Sequence, residues 1–390
     1  MRVAHLGLTD FRNYETAEVG FDAGPNLIVG INGQGKTNLV EALAYLSTLG
    51  SHRVSSDQAL IRFGRDSAIV RARLEHGDRN VLVEVQLNRV GANRAQVNRG
   101  PIKPRELPRY VATVVFAPED LALVRGEPSG RRRFLDELLV QKSPRFAGIL
   151  SDYDRVLRQR NTLLKSARAA RTPAEKLTTL DVWDERLVQL GVEIVIGRRD
   201  LIERLREPVR DAYERIAGAE HRADLSARLS ILGSQPDDEA STDVLDGGAG
   251  LTPMSAAESF RASLAAQRRA ELDRGITLVG PHRDDLVLTL NGLPARGYAS
   301  HGESWSFALS LKLASAEVLR TDAPLGDPVL ILDDVFAELD ERRRASLSAA
   351  ITGFEQVLIT AAVENDVPQE LRGTTIRIHA GRVVEPGAAE

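Results

Sequence analysis

Gly30-Ile31-Asn32-Gly33-Gln34-Gly35-Lys36-Thr37 fits the phosphate-binding pattern G-x-x-x-x-G-K-[ST] at every position. Before it, Pro25-Asn26-Leu27-Ile28-Val29 ends in a short apolar β-type run; after it, Asn38-Leu39-Val40-Glu41-Ala42-Leu43 reads as the start of a helix. A strand, a glycine-rich loop and a helix in that order make a nucleotide site. The glycines let successive N–H groups turn toward phosphate oxygens, and the helix aims its positive end at the same point. Gly30 to Thr37 thus form the expected cradle, Lys36 reaches the β and γ phosphates, and Thr37 offers its hydroxyl to Mg2+.

Working outward, residues 1–120 alternate β-like runs with turns, at 3–8, 17–21, 26–29, 67–74, 81–87, 95–97 and 110–116, interrupted by a helix at about 36–49. Val111 to Phe116 is almost continuously apolar and belongs in a central sheet covered on both faces. After Pro118 the period turns helical for about 150 residues. Phe146, Ile149, Leu150, Tyr153, Val156, Leu157 and Leu164 recur at helical spacing, as do Trp183, Leu187, Leu190, Ile194, Leu201 and Leu205. Thr172-Pro173-Ala174-Glu175 and Ser255-Ala256-Ala257-Glu258 have the form of capping boxes, and 233–253, rich in Gly, Asp, Ser and Thr, reads as a flexible loop. The β pattern returns at 277–279 and 286–290; a helix follows at about 304–319, then strands at 328–332, 356–360 and 375–379. The expected organisation is a split α/β nucleotide domain, 1–120 and 273–390, around a helical insertion, 121–272.

Composition removes whole classes. With 43% hydrophobic and 27% charged residues the chain has the balance of a globular protein, and it holds no apolar run near the roughly 18 residues a membrane span needs. The N-terminus enters a strand-like pattern at once, which predicts a cytoplasmic protein. Without cysteine there are no disulfides or thiolate metal sites, and seven scattered histidines suggest no cluster, so the expected metal is magnesium brought with nucleotide. A net charge of −4 neither requires nor forbids nucleic acid, because an acidic chain can carry a local basic face.

A second stretch carries chemistry. Val329-Leu330-Ile331-Leu332-Asp333-Asp334 is an apolar strand ending in two acids, Asp333 placed to help hold magnesium and Asp334 to polarise the attacking water. The following Ala337-Glu338-Leu339-Asp340 is similar to the D-loop of ABC-type ATPases. Ser300-His301-Gly302-Glu303 resembles a shortened ABC signature segment, whose serine and helix N-terminus face the γ-phosphate. A serine helix cap is the plainer reading of that segment.

These motifs sit inside a broader resemblance. Residues 118–136, with Arg131-Arg132-Arg133-Phe134-Leu135-Asp136, and residues 330–347, with Asp333, Asp334, Asp340 and Arg343, resemble two diagnostic segments of the RecF recombination-repair ATPases. Gly280-Pro281-His282-Arg283-Asp284-Asp285 and Ser51-His52-Arg53 are similar to that family as well. The resemblance implies an ABC-type ATPase head with a mainly helical second domain and no long coiled coil. It also implies weak, DNA-stimulated hydrolysis of ATP with Mg2+, a homodimer formed on ATP, and catalytic roles for Lys36, Asp333, Asp334 and Ser300. Asn38 and Arg53 join the nucleotide contacts. The implied partners are DNA, double-stranded or at single/double-strand junctions, together with RecR and RecO in loading recombinase at gaps. Two positions depart from the ABC pattern: Pro118-Glu119-Asp120 holds no Q-loop glutamine, and Thr360 stands where a switch histidine is common, which leaves the γ-phosphate sensor open.

Arg131 to Arg133 and the scatter Arg155, Arg158, Arg160, Lys165, Arg168 and Arg171 fit either a DNA-facing stripe or arginines paired with acids inside the fold. No aromatic interleaving points to base stacking, so DNA contact should be made mainly to phosphates. A chromosome-organising head of SMC type is the alternative. Lys36 and Asp333 are only 297 positions apart, without the sustained heptads such heads carry between these motifs. A transporter-energising subunit fits the shortened Ser300 segment and the helical insertion poorly.

Overall fold

A computed structural model describes residues 1–51, 53–54, 56–171, 177–218, 221–233, 250–321 and 326–384. Its elements, in chain order, are β1 (Arg2–Phe11), β2 (Tyr14–Gly20), β3 (Gly24–Val29), α1 (Lys36–Thr48), β4 (Ser67–His76), β5 (Arg79–Asn88), β6 (Arg94–Val97), β7 (Gly100–Ile102) and β8 (Thr113–Phe116). There follow α2 (Leu121–Arg125), α3 (Pro128–Lys142), α4 (Arg145–Ala169), α5 (Thr178–Ala217), β9 (Ala223–Arg228), α6 (Pro253–Arg274), β10 (Asp285–Leu290), β11 (Leu293–Pro294) and α7 (Ala295–Tyr298). The chain closes with α8 (His301–Thr321), β12 (Val329–Asp333), α9 (Glu341–Ile351), β13 (Gln356–Ala361), β14 (Thr374–His379) and β15 (Arg382–Val384).

The chain divides into two units. The first comprises Met1–Leu121, Pro208–Glu220 and His301–Glu390; the second comprises Ala122–Glu207 and His221–Ser300. This partition differs from the expected one in two segments. The last turns of α5 pack with the first unit, and residues 273–300 stay with the second because β10 pairs along its whole length with β9.

In the first unit an antiparallel sheet runs β2-β1-β4-β5-β6-β7, and a second sheet runs β15-β14-β3-β13-β12-β8. Neighbours from β14 to β8 in the second sheet are parallel, so the carboxyl ends of β3, β13 and β12 open on one edge. That edge is where the loop after β3 and the acids after β12 meet. β8 lies in this sheet and is buried, as its continuous apolar run predicts; it is the outer strand, and α1 and α8 both pack on it. One apolar core joins the two sheets through α1, with Leu6, Val70, Leu43, Leu46, Ile331 and Leu358 all buried. At about 1.5–3 kcal/mol for each such side chain, this burial helps hold β3 and β12 in place on either side of β13.

The second unit is less helical than its periodicity suggests. Alternation from Ala223 to Arg228 makes β9, which pairs antiparallel with β10 and so breaks the helical run. The run at 277–279 is not a strand: Thr277 donates its N–H and its hydroxyl to Asn161 Oδ1 and accepts Arg160 at the same hydroxyl, so that these polar groups are used up without a ladder. α6 begins one turn before the expected cap, with Thr252 Oγ1 accepting from Ser255 N–H at 3.1 Å. The box at 172–175 and most of the 233–253 loop lie outside the described residues.

Candidate functional site

The loop between β3 and α1, and α1 itself, are held from outside by three consecutive residues, Arg12 to Tyr14, where β1 turns into β2. Tyr14 donates its hydroxyl to the carbonyl of Gly35 at 3.0 Å, and Asn13 donates to the carbonyl of Gln34 at 3.0 Å. Arg12 forms a fork on Glu41, one turn into α1, at 2.8 and 2.7 Å. Burial pushes the Tyr14 phenol well above its ordinary pKa, so it remains a donor. Gly33 and Gly35 take the left-handed φ values of +82° and +115° that a bulkier residue would resist. Gly30 is required for a different reason: a Cβ there would stand 2.5 Å from the carbonyl oxygen of Ile378 on the neighbouring β14.

Lys36 is the first residue of α1 and only 3% exposed, yet its ammonium is loosely held. Asn32 Oδ1 lies at 3.4 Å and Asp334 Oδ2 at 3.9 Å. Thr37 donates to Asp333 Oδ1 at 3.0 Å, which joins the end of β12 to the phosphate loop across 296 residues of sequence. Two hard oxygen donors this close suit Mg2+, which is commonly bound by one or two protein oxygens, with phosphate and water filling its other positions. Among the described residues no group of three or more His, Asp or Glu could cage a metal alone.

Thr360, at the end of β13 between β3 and β12, occupies the position left open for a γ-phosphate sensor. Its hydroxyl donates to Asp333 Oδ1 at 2.7 Å and accepts the N–H of Asp334 at 2.9 Å. Here its one proton goes to Asp333, so the Thr360 hydroxyl ties the two acids together. Asp334 sits in the left-handed region, φ 51°, which turns its carboxylate out of the strand toward solvent and Lys36. A cavity of about 250 Å³ opens there, lined by Asn32, Pro118, Asp334, Glu338 and Thr360. It is large enough for a terminal phosphate and a few waters of about 30 Å³ each.

Asn38 and Arg53 lie beside the loop. Asn38 donates to Asn13 Oδ1 at 2.8 Å and accepts from Arg53 at 3.0 Å, while Arg53 also stands 3.8 Å from Glu41. Glu41 is fully buried and takes Arg12, Arg53 and the Ser51 hydroxyl together. Gln34 turns away from the cavity and accepts the N–H of Ala380, and Ile31 is exposed. Glu119 is exposed, while its neighbour Asp120 pairs with Lys312 at 2.9 Å. Ser300 stands exposed immediately before α8, and Asp340 caps α9 by accepting Arg343 N–H. Arg12, Asn13, Tyr14 and Glu41 escape the sequence reading because a turn gripping a loop 21 residues away leaves no periodic trace.

The basic stripe divides in two. Arg131 is buried, forks on Asp285 at 2.8 and 2.8 Å and also donates to the carbonyl of Gly126. Arg132 donates to the Asp284 carbonyl and Arg133 to Glu137. Arg160 has no exposed surface and holds Asp184, Thr277 and Glu271 at 2.6, 2.8 and 2.6 Å. Of the two readings of these arginines, pairing inside the fold is the one realised for Arg131 and Arg160. Arg155, Arg158, Lys165, Arg168 and Arg171 are exposed.

Comparison with known proteins bears on this geometry. The family model described as RecF/RecN/SMC N terminal domain matches residues 2–380. A curated protein of Leifsonia xyli subsp. xyli, "DNA replication and repair protein RecF", is 63% identical over 99% of this chain and 100% of its own length. A solved structure described as "Structure of the recombination mediator protein RecF-ATP in RecFOR pathway" superposes with a TM-score of 0.84 at 28% identity, covering 98% of each chain. An Smc head domain from Pyrococcus furiosus reaches a TM-score of 0.52 at 16% identity over 98% of this chain and 95% of that one, a likeness of fold alone.

Proposed function

The chain belongs to the RecF family of DNA replication and repair proteins, and from that premise we propose that it is a cytoplasmic, ATP-dependent DNA-binding protein. It pairs on ATP, hydrolyses it slowly, and works with RecO- and RecR-type partners to load recombinase at gaps. The observation that carries this reading is the closed chain of contacts Thr37–Asp333–Thr360–Asp334, at 3.0, 2.7 and 2.9 Å, with Lys36 3.9 Å from the last member.

Each residue has a part. The backbone of Gly30 to Gly35 receives the phosphates, Lys36 meets their β and γ charge, and Asn38 and Arg53 stand where they can contact the nucleotide from the side. Thr37 and Asp333 hold Mg2+, which when bound neutralises charge on the β and γ oxygens. Asp334 orients the attacking water. The second unit is read as a domain inserted into a split head. DNA is held through phosphates, so log affinity should fall with log salt at a slope of about 0.9 per phosphate contact and vary little with base sequence.

A phosphate loop that opens on the surface needs a second subunit to close over the γ-phosphate, and Ser300 with the N-terminus of α8 is the surface that fits. Two chains related by a two-fold axis build two such sites. Sedimentation should therefore show a dimer with ATP or a non-hydrolysable analogue and a monomer with ADP. Ser300→Arg should bind ATP as a monomer without pairing. Normal dimerisation of that variant on ATP would reduce Ser300 to a helix cap and remove the composite site.

A further inference from the structure

Arg343 makes no contact with the phosphate loop, yet it is tied on two sides. Its N–H donates to Asp340 Oδ1 at 2.9 Å, its guanidinium pairs with Asp340 Oδ2, and its Nε donates to Ser306 Oγ at 3.0 Å. Ser306 is fully buried in the opening turns of α8. Gly302, one turn earlier, lies against the same guanidinium: a Cβ there would stand 2.7 Å from Nη2. The adjoining Arg342 donates to the carbonyl of Gly218, just past the end of α5, at 3.2 Å. Tyr213, in the last turns of α5, meets Phe307 of α8 edge-on with ring centroids 5.7 Å apart. The first turn of α9 therefore anchors the N-terminal end of α8.

We propose that Arg343 is a positioning residue for the composite site: it ties the turn between Asp334 and Asp340 to the first turns of α8, so that α8 is presented to the nucleotide of a second copy in a fixed pose. The proposal rests on the ATP-paired reading given above. Its chemistry is the planar fork, which donates to a carboxylate and a buried hydroxyl at once; a lysine ammonium carries the charge without that shape. The loop that receives the phosphates lies elsewhere, so the monomer's affinity for ATP should be untouched.

The test compares wild type, Arg343→Ala, Arg343→Lys, Ser306→Ala and Gly302→Ala. For Arg343→Ala, ATP affinity by calorimetry should stay within about twofold, as for separate sites. ATP-driven pairing should weaken and kcat fall about tenfold or more with KM unchanged, as misplaced groups do. Arg343→Lys should recover part of the loss. Ser306→Ala and Gly302→Ala, which remove or shift one contact only, should move the same way by less. Hydrogen exchange of residues 302–306 in ATP-free protein gives a second readout, independent of pairing, and should be faster in Arg343→Ala. Wild-type pairing and turnover in Arg343→Ala overturn the proposal, and so does exchange equal to wild type. A wild type that fails to pair on ATP overturns the composite site itself, and the exchange data then show separately whether Arg343 holds α8.

Discussion

Lys36 and Arg160 are both buried cations, and their surroundings could hardly differ more. Lys36 has Asn32 at 3.4 Å and Asp334 at 3.9 Å, distances that leave it under-coordinated. Arg160 has three partners between 2.6 and 2.8 Å and no accessible surface. Slack around a buried charge in the first unit marks a place for a ligand. Saturation in the second marks a charge whose work is structural. Burial alone would lower the Arg160 pKa, but Glu271 and Asp184 together outweigh it and raise it.

The contrast is broken most strongly from the saturated side. Arg160→Met leaves Glu271 buried without its cation, and removing one partner of a buried pair costs about 3–5 kcal/mol. Thermal or denaturant unfolding should show it, with nucleotide affinity of the remaining folded protein unchanged. A variant of wild-type stability would mean that the triad is dispensable.

At the slack end the effects should fall on ligand and turnover, not on folding. Asp334→Asn should slow hydrolysis about hundredfold, the lower range for loss of a positioned base, while ATP still binds through Thr37 and Asp333. Asparagine tolerates the left-handed φ of this position, so the backbone stays in place. Single-turnover kinetics at wild-type rate would remove Asp334 from the chemistry. Lys36→Met should weaken ATP binding by about 1.5–3 kcal/mol, the worth of a charged hydrogen bond, with little change in melting temperature. Unaltered affinity in calorimetry would sink the phosphate-loop assignment.

The smallest expected effect is a pH dependence inside the second unit. Burial pushes Asp284 up to about 6, against hydrogen bonds from Ser230 and the nearby Arg198. Burial pulls His282 down to about 3, and the Thr277 carbonyl opposes that shift. A raised carboxyl stabilises the fold below the unfolded value near 4 and loses that contribution as pH rises through 6. A lowered histidine stabilises above about 6.5 and loses its contribution as pH falls. The two oppose each other between pH 4 and 6. Asp284→Asn should lose stability on acidification through that window and His282→Gln on alkalinisation, each by about 1 kcal/mol per pH unit. Parallel stability curves for both variants and wild type would show that neither group titrates with folding.

What the sequence showed and what it hid follow from the same contrast. The phosphate loop is legible because each glycine and the Lys-Thr pair answers a local requirement, and β12 because an apolar strand ending in Asp333-Asp334 is a short-range pattern. The meeting of Thr37 with Asp333, and the insertion of β13 between their strands, are consequences of sheet order, which no local period encodes. β9 was hidden for the opposite reason. Six alternating residues between long amphipathic helices are too short to outweigh the helical signal on either side. Arg131 and Arg155 look alike in a charge run, and only the tertiary partner Asp285 separates the core fork of Arg131 from the local surface pair that Arg155 makes with Asp152 three residues before it.

Sheet order also sets a timetable. β3 carries the phosphate loop at residues 24–29, but its two neighbours in the sheet, β13 and β14, lie beyond residue 355. At a synthesis rate of about 5–20 residues per second the strand waits about 20–70 s on the ribosome before either neighbour is made. During that interval the nascent chain has the glycine loop but not the flanking strands that fix its height, and the acid that meets Thr37 is added only near the end of it, at residue 333. Competence to hold nucleotide is therefore among the last properties the growing chain acquires. A chain interrupted before Gln356 is left with an unpaired apolar β3, a surface for chaperones or for aggregation.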